Sequence, residues 1–164
     1  MQSSFLQKHI NSIVITVLLF ITFNVQAQTT YYVDAAKADN IGAGTTWSSA
    51  KKDLQNAIDA ATSGDQIWVK AGTYYPTVIP TQYIPSNATT NRDKTFYLRD
   101  GIKIYGGFAG NETNLNQRNW RTNNTILSGD IGTPNDSTDN CYHVLISAAT
   151  SASTHNCSKP VKYC

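Results

Sequence analysis

The sequence predicts an all-β solenoid, a parallel β-helix with one capping α-helix near its start, behind a secretion signal. Short apolar runs bounded by Gly, Asp or Asn centre on Ile104, Leu127 and Leu145, which lie 23 and 18 residues apart. An amphipathic segment at 48–62 precedes them. A β-sandwich places turn signals every 8–12 residues or so, whereas a repeat of about 20 residues or more indicates a solenoid.

The composition indicates one folded domain. The chain has 164 residues, is 40% apolar and includes nine Tyr and three Trp, which is enough to bury a core. Its formal net charge of +2 is too balanced to indicate a nucleic-acid or anionic-membrane partner. The many Asn, Thr and Ser residues favour strands and turns over helices.

The first 27 residues match a secretory signal peptide. An apolar run from Ile13 to Phe23 precedes the small residues Val25 and Ala27, so we expect cleavage after Ala27. The alternative is a membrane anchor, but the run is shorter than the roughly 20 residues that a span requires. We therefore expect a secreted or extracellular protein with no membrane span after signal removal.

The segments that follow can be assigned in order. "TTYYVDAA" indicates a strand, and residues 48–62 a helix that Ser48 or Ser49 can begin and Gly64 can end. One coil of a solenoid cannot bury its own apolar face, so this helix is the expected lid. Residues 76–95 form a loop, and the predicted strands lie in "QIWVKAGTYYP", "TFYLRDG", "IKIYGGF", "TILSGD" and "YHVLIS".

The glycines of "KIYGGFAGNE" admit two interpretations. A phosphate-binding loop requires fixed glycine spacing at the start of a helix, and neither GxGxxG nor GxxxxGK is present. The structural interpretation is favoured. Gly106 and Gly107 allow a bend or a close backbone approach, Gly110 allows a turn, and Gly129 repeats the pattern in "LSGD".

Three cysteines, Cys141, Cys157 and Cys164, lie in the last 24 residues. Export permits a disulfide, and the sequence does not select the pair. No CxxC or HxxxH spacing supports a metal site with His143 and His155. The odd count and the ending on a cysteine indicate a truncated product, with 148–164 as an irregular tail.

The ordered segments from Tyr31 to Ile146 resemble the N-terminal part of secreted, right-handed parallel β-helix proteins of the pectin-lyase-like fold. They are similar to bacterial polymorphic outer-membrane and surface proteins. The resemblance covers "YYVDAA", "WSSAKKDLQNAIDAATSG", "IYGGFAGNET" and "TILSGDI". It implies that residues 28–147 are the cap and first coils, that the protein is secreted or associated with the outer membrane, and that further coils are missing.

Two groups of residues are candidate sites. Arg118, Trp120 and Arg121 in "QRNWRTN" can form a platform for sugars, with the arginines gripping carboxylates; alternatively, Trp120 packs under the loop and both arginines extend outward. The group Asp130, Asp136 and Asp139 offers oxygen ligands for Ca²⁺, although Asp and Asn in such loops are also turn formers. No Ser-His-Asp arrangement is visible.

The favoured hypothesis is a secreted or cell-surface β-helix scaffold, adhesin-like and non-catalytic in this segment, without a cofactor. One alternative, implied by the resemblance, is part of a polysaccharide lyase or hydrolase whose active site lies in missing coils. Another is a small carbohydrate-binding module. A row of coplanar exposed aromatic rings would favour the module, and the expected partner is a polysaccharide or a host or cell-surface molecule.

Overall fold

The computed structural model describes residues 27–81, 90–147 and 162–163. Each segment that the sequence assigned to a strand contains at least one strand, and "QIWVKAGTYYP" contains two. The helix α1 spans Leu54–Ala60. Short 3-10 helices occupy Asn91–Asp93 and Leu115–Gln117. The strands are β1 (Thr30–Val33), β2 (Gln66–Lys70), β3 (Gly72–Tyr74), β4 (Phe96–Leu98), β5 (Lys103–Phe108), β6 (Thr125–Leu127), β7 (Leu145–Ser147) and β8 (Lys162–Tyr163).

The described strands form three small sheets in which every neighbouring pair is parallel. Their orders are β1-β2-β5, β3-β6-β8 and β4-β7. In the first sheet Trp68 of β2 pairs with Tyr32 of β1 and with Tyr105 of β5. The register between β2 and β5 shifts after Trp68, where β5 contains its two adjacent glycines.

One apolar core joins the helix to strands from all three sheets. Leu54, Ala57 and Ile58 of α1 are buried against side chains of β1, β2, β3, β4 and β6. Burying an aliphatic side chain of this size contributes roughly 1.5–3 kcal/mol. The strand residues of this core are Val33, Ile67, Val69, Tyr74, Phe96, Leu98 and Leu127.

The prediction of an all-β solenoid with a capping helix is wrong. The content is mixed α and β, and the described strands form separate small sheets rather than a stack of continuous coils. Strands of two to six residues alternate with long segments that contain no strand, including 109–124 and 128–144. The recurring apolar runs specify where strands form, but they do not require successive strands to wind into one coil.

The helix is also shorter than the predicted 48–62. Residues before it are held in extended backbone, because Lys51 pairs with Val33. The N–H of Lys51 donates to the carbonyl of Tyr32 (2.9 Å), and Asp34 N–H donates to the carbonyl of Lys51 (2.8 Å). Asp53, with extended φ and ψ, then precedes the first helical residue. These sheet-like hydrogen bonds satisfy backbone groups that a longer helix would need.

Arg99 caps the C-terminus of α1. Its Nη2 donates to the carbonyls of Ile58 (2.7 Å) and Asp59 (2.9 Å), and it also contacts the carbonyl of Ala61. The last carbonyls of a helix have no partner within the helix and carry partial negative charge. A single guanidinium therefore fixes the helix to the β4–β5 connection.

Asp65 ties the start of β2 to the segments on either side. It is only 5% exposed, and its carboxylate accepts hydrogen bonds from Thr29 N–H (2.8 Å), Thr62 N–H (2.8 Å) and Thr62 Oγ1 (2.9 Å). Burial raises the pKa of Asp65, but these hydrogen bonds outweigh it and leave the pKa below its ordinary value. The charged carboxylate is thus the form that stabilises the fold.

Four aromatic side chains cover the face of the first sheet that lies opposite the core. Tyr32, Trp47, Trp68 and Phe108 have ring centroids 4.7–5.7 Å apart, and Trp68 stacks on Phe108. The indole N–H of Trp47 donates to the carbonyl of Glu112 (2.9 Å). This bond fixes the loop that follows β5 against the aromatic cluster.

Arg99→Met should lower the free energy of unfolding by about 1–3 kcal/mol, because it removes charged hydrogen bonds to helix carbonyls while keeping the aliphatic stem. Urea denaturation followed by circular dichroism measures this change. The matched control is Lys103→Met at an exposed position of β5, which should change stability by no more than about 0.5 kcal/mol. Equal effects of the two substitutions would contradict the capping role.

Asp65→Asn should lower the free energy of unfolding at neutral pH by about 1–3 kcal/mol, because an amide cannot accept all three hydrogen bonds. The folded-state pKa lies below the unfolded value, so the stabilisation is present above an unfolded pKa of about 3.9 and is lost as pH falls through the folded pKa. The difference between the two proteins should therefore shrink below about pH 4. Asp39→Asn, at an exposed position, is the control and should change the free energy of unfolding at neutral pH by no more than about 0.5 kcal/mol.

Candidate functional site

The candidate site lies on the loop between β5 and β6, which Glu112 orders from within. Its carboxylate accepts hydrogen bonds from the backbone N–H groups of Ala109 (2.6 Å), Gly110 (2.9 Å) and Asn111 (3.1 Å). Glu112 is 8% exposed. Burial raises its pKa, but the backbone N–H groups outweigh burial and hold the pKa below its ordinary value. The Glu112 carboxylate therefore holds the turn in which it lies.

The 3-10 helix Leu115–Gln117 orders the next part of the loop. Asn114 Oδ1 accepts from Asn116 N–H (3.0 Å), and Gln117 Oε1 accepts from the N–H groups of Thr113 (2.7 Å) and Asn114 (2.9 Å). This reciprocal arrangement is a capping box. It positions Arg118, the residue that directly follows the helix.

Gly107 fixes the returning end of the loop to β5. Its carbonyl accepts hydrogen bonds from Asn119 N–H (2.7 Å) and Asn123 Nδ2 (3.3 Å). Gly107 has φ +95°, and a Cβ added there would lie 2.9 Å from Cα of Trp120. Only glycine permits both this conformation and this approach. The backbone of Trp120 consequently lies directly on the strand.

The arginines of this loop lie over aromatic rings. The guanidinium of Arg118 is 5.2 Å from the ring centroid of Tyr105, and that of Arg121 is 5.1 Å from the ring centroid of Trp120. Trp120 is 39% exposed and Tyr105 is half-buried. We name these four residues the stacked-arginine surface. A cation over an aromatic face is attracted by about 0.5–1 kcal/mol at exposed sites.

The predicted residues Arg118, Trp120 and Arg121 thus lie on the β5–β6 loop, and the structure adds Tyr105 of β5 to them. Trp120 is exposed rather than packed under the loop, and the guanidiniums lie on rings instead of only extending outward. The sequence contains no signal for the Tyr105–Arg118 contact, since no local spacing relates a strand residue to the end of the following loop.

The predicted acidic group serves the turns of the β6–β7 connection. Asp130 Oδ2 accepts from Asn135 N–H (3.1 Å), and Asp139 Oδ2 accepts from Thr133 N–H (2.6 Å). Asp136 Oδ1 accepts from Thr138 Oγ1 (2.7 Å) and N–H (2.9 Å), and these bonds lower its pKa. Within residues 27–81 and 90–147, no three His, Cys, Asp or Glu side chains are grouped as metal ligands. The Oδ1 atoms of Asp130, Asp139 and Asn140 are buried without a hydrogen-bond partner among the described residues, and the Ca²⁺ site stays a prediction.

The remaining predicted residues that the structure describes are three glycines and one cysteine. Gly106 lies inside β5, where a Cβ would come within 2.8 Å of Cβ of Thr125, and Gly110 has φ +102° in the turn held by Glu112. Gly129 is buried, and its carbonyl accepts from Cys141 N–H (2.9 Å). Cys141 is half-buried, and burial raises the pKa of its thiol.

Several predictions fall on residues that the structure does not describe. Cys157 and Cys164 lie outside the described residues, as do 1–26 of the predicted signal peptide and nearly all of the predicted tail at 148–164. Among the residues that are described, no helix is long and apolar enough to cross a membrane.

Gly107→Ala should destabilise the protein more than Gly64→Ala. Both glycines have positive φ, +95° and +97°, so an alanine at either position costs about 1–2 kcal/mol of backbone strain. Nothing lies within 4 Å of a Cβ at Gly64, whereas at Gly107 it meets the Trp120 backbone. Overpacking should add about 1–3 kcal/mol at Gly107 alone, measured by urea denaturation. Equal losses would show that the Trp120 contact is not tight.

No protein-family model, curated protein or solved structure matches this chain.

Proposed function

We propose that this chain is a secreted or cell-surface scaffold that binds a partner through the stacked-arginine surface and performs no catalysis in the described segment. The observation that carries the proposal is the pairing of Arg118 with Tyr105 and of Arg121 with exposed Trp120 on an internally ordered loop. Arg, Trp and Tyr are the residue types that contribute most to binding energy at protein surfaces.

The chemistry of these residues supports binding over reaction. A guanidinium keeps its proton at all physiological pH values, and an aromatic face stabilises its charged form. The carboxylates in and beyond the loop, Glu112, Asp130 and Asp139, accept hydrogen bonds from backbone N–H groups. Each of these carboxylates supports a turn through at least one of its oxygens, which favours a structural role.

The arrangement of exposed rings favours the scaffold over the carbohydrate-binding module. Tyr75 (47% exposed), Trp120 and Tyr142 (57%) are the exposed aromatic side chains of the described residues. Two of them lie under guanidiniums, Trp120 under Arg121 and Tyr142 under Arg92 at 4.3 Å. The ring-to-ring contacts of the described part lie instead in the cluster of Tyr32, Trp47, Trp68 and Phe108. A sugar platform requires a row of open faces.

Leu18→Arg should block export of the full chain, because a charge interrupts the apolar run that the secretion machinery recognises. The measurement is the fraction of protein outside the cytoplasm, together with the N-terminal sequence of the exported form, which should begin at Gln28. Ser3→Arg adds the same charge before the apolar run and should leave export intact. Retention of the unsubstituted chain inside the cell would overturn the proposed location.

The proposal also predicts that the purified chain leaves polygalacturonate uncut. New reducing ends and the ultraviolet absorbance of unsaturated products report hydrolysis and elimination, respectively. If the chain cleaves this polymer with sustained turnover and Arg118→Gln abolishes the cleavage, the scaffold proposal is wrong and the chain is a lyase.

A further inference from the structure

We infer that the stacked-arginine surface is a docking site for an acidic segment of a partner protein, an inference that rests on the proposed binding function. Among the described residues, no carboxylate lies within ion-pair distance of the two guanidiniums. The ion pair found in this part of the chain joins Lys70 to Asp34 (2.8 Å). The described hydrogen bonds also include none from the side chains of Arg118 or Arg121 to the protein. Their N–H donors remain available for a ligand.

Stacking keeps those donors usable. A guanidinium over a ring contacts it through its charge and its face, while its N–H groups point outward in its own plane. That plane matches a carboxylate, which accepts two parallel hydrogen bonds from it. The guanidiniums of Arg118 and Arg121, with Cζ atoms 5.2 Å and 5.1 Å from the ring centroids of Tyr105 and Trp120, therefore offer donors for carboxylates beside two aromatic rings.

The loop is also organised before a ligand arrives. The Glu112 turn, the capping box of Asn114 and Gln117, and the Gly107 contacts hold its backbone at three points. Such preorganisation reduces the conformational entropy that binding would otherwise cost. Because the Glu112 carboxylate is buried in its turn, the surface keeps its positive charge.

These features favour a protein partner over a polysaccharide. A sugar ring binds by lying on an open aromatic face, but here each ring already has a guanidinium over one face, and Tyr105 is half-buried. The backbone of Trp120 also lies against β5 at Gly107. An acidic peptide needs only the outward guanidinium edges and the exposed rim of Trp120. Aromatic and arginine side chains are enriched in protein interfaces, whereas Lys and Glu are depleted.

The test uses the full chain and two labelled probes of equal negative charge. One is a synthetic peptide in which glutamate alternates with leucine and serine, and the other is an oligogalacturonate. Fluorescence anisotropy gives both Kd values at low and physiological salt. We expect tighter binding of the peptide, and a Kd at least tenfold higher for the Arg118→Gln/Arg121→Gln double variant, which corresponds to about 1.4 kcal/mol.

Lys52→Gln/Lys94→Gln is the matched control, because it removes the same charge from positions outside the surface and should change the Kd less than twofold. Arg118→Lys/Arg121→Lys keeps the charge but loses the planar fork, and should raise the Kd by an intermediate factor of roughly threefold to fivefold. Arg118→Gln/Arg121→Gln removes two cation–ring contacts and should therefore lower the urea midpoint slightly, whereas the lysine variant should lower it less. Urea denaturation checks that both variants are folded under the binding conditions.

Three results would overturn the inference. Tighter binding of the oligogalacturonate, lost in Trp120→Leu, would assign the surface to carbohydrate. Equal losses in the arginine and lysine variants would indicate non-specific charge attraction, and no binding of either probe would remove the docking site. If the chain is exported but binds neither probe, the docking inference fails and the proposed location stands. If the chain is retained in the cell but binds the peptide, the proposed location fails and the docking inference stands.

Discussion

The close approach of chain segments to β5 is the constraint on which the rest of the surface depends. Gly106 brings the strand against Thr125 of β6, and Gly107 brings it against the backbone of Trp120. A side chain at either position would push the neighbouring segment outward. Because the loop packs back against β5 at Gly107, its residue Arg118 is held beside Tyr105 of the strand.

Buried carboxylates supply the second level of organisation. Asp65 fixes the start of β2, and Glu112 fixes the turn after β5, each by accepting several hydrogen bonds from nearby N–H or O–H groups. In both cases hydrogen bonding outweighs the burial that would otherwise favour the neutral acid. A charge satisfied in this way needs no basic partner. Arg99 instead caps α1, and the guanidiniums of Arg118 and Arg121 lie over aromatic rings.

The surface combines rigidity with unpaired charge. Its arginines are oriented by rings rather than by carboxylates, so orientation does not use their hydrogen-bond donors. The acidic residues of the β6–β7 connection differ, because Asp130, Asp136 and Asp139 accept hydrogen bonds from their own loop. Residue types that indicate a site in a sequence can therefore also hold the turns of their own loop, as Asp136 does through its two hydrogen bonds from Thr138.

The sequence by itself determined where the strands lie, because a short apolar run that ends in Gly or Asp favours a strand through residues adjacent in the chain. It also placed Arg118, Trp120 and Arg121 on one loop. Tertiary structure decided the length of the helix, the pairing of the strands and the contacts between the loop and β5. Pairing of Lys51 with Val33 shortened α1, the strands assembled into separate sheets rather than coils, and Arg118 met Tyr105 across the loop. These outcomes depend on contacts between residues distant in the chain, whose energies no local spacing specifies.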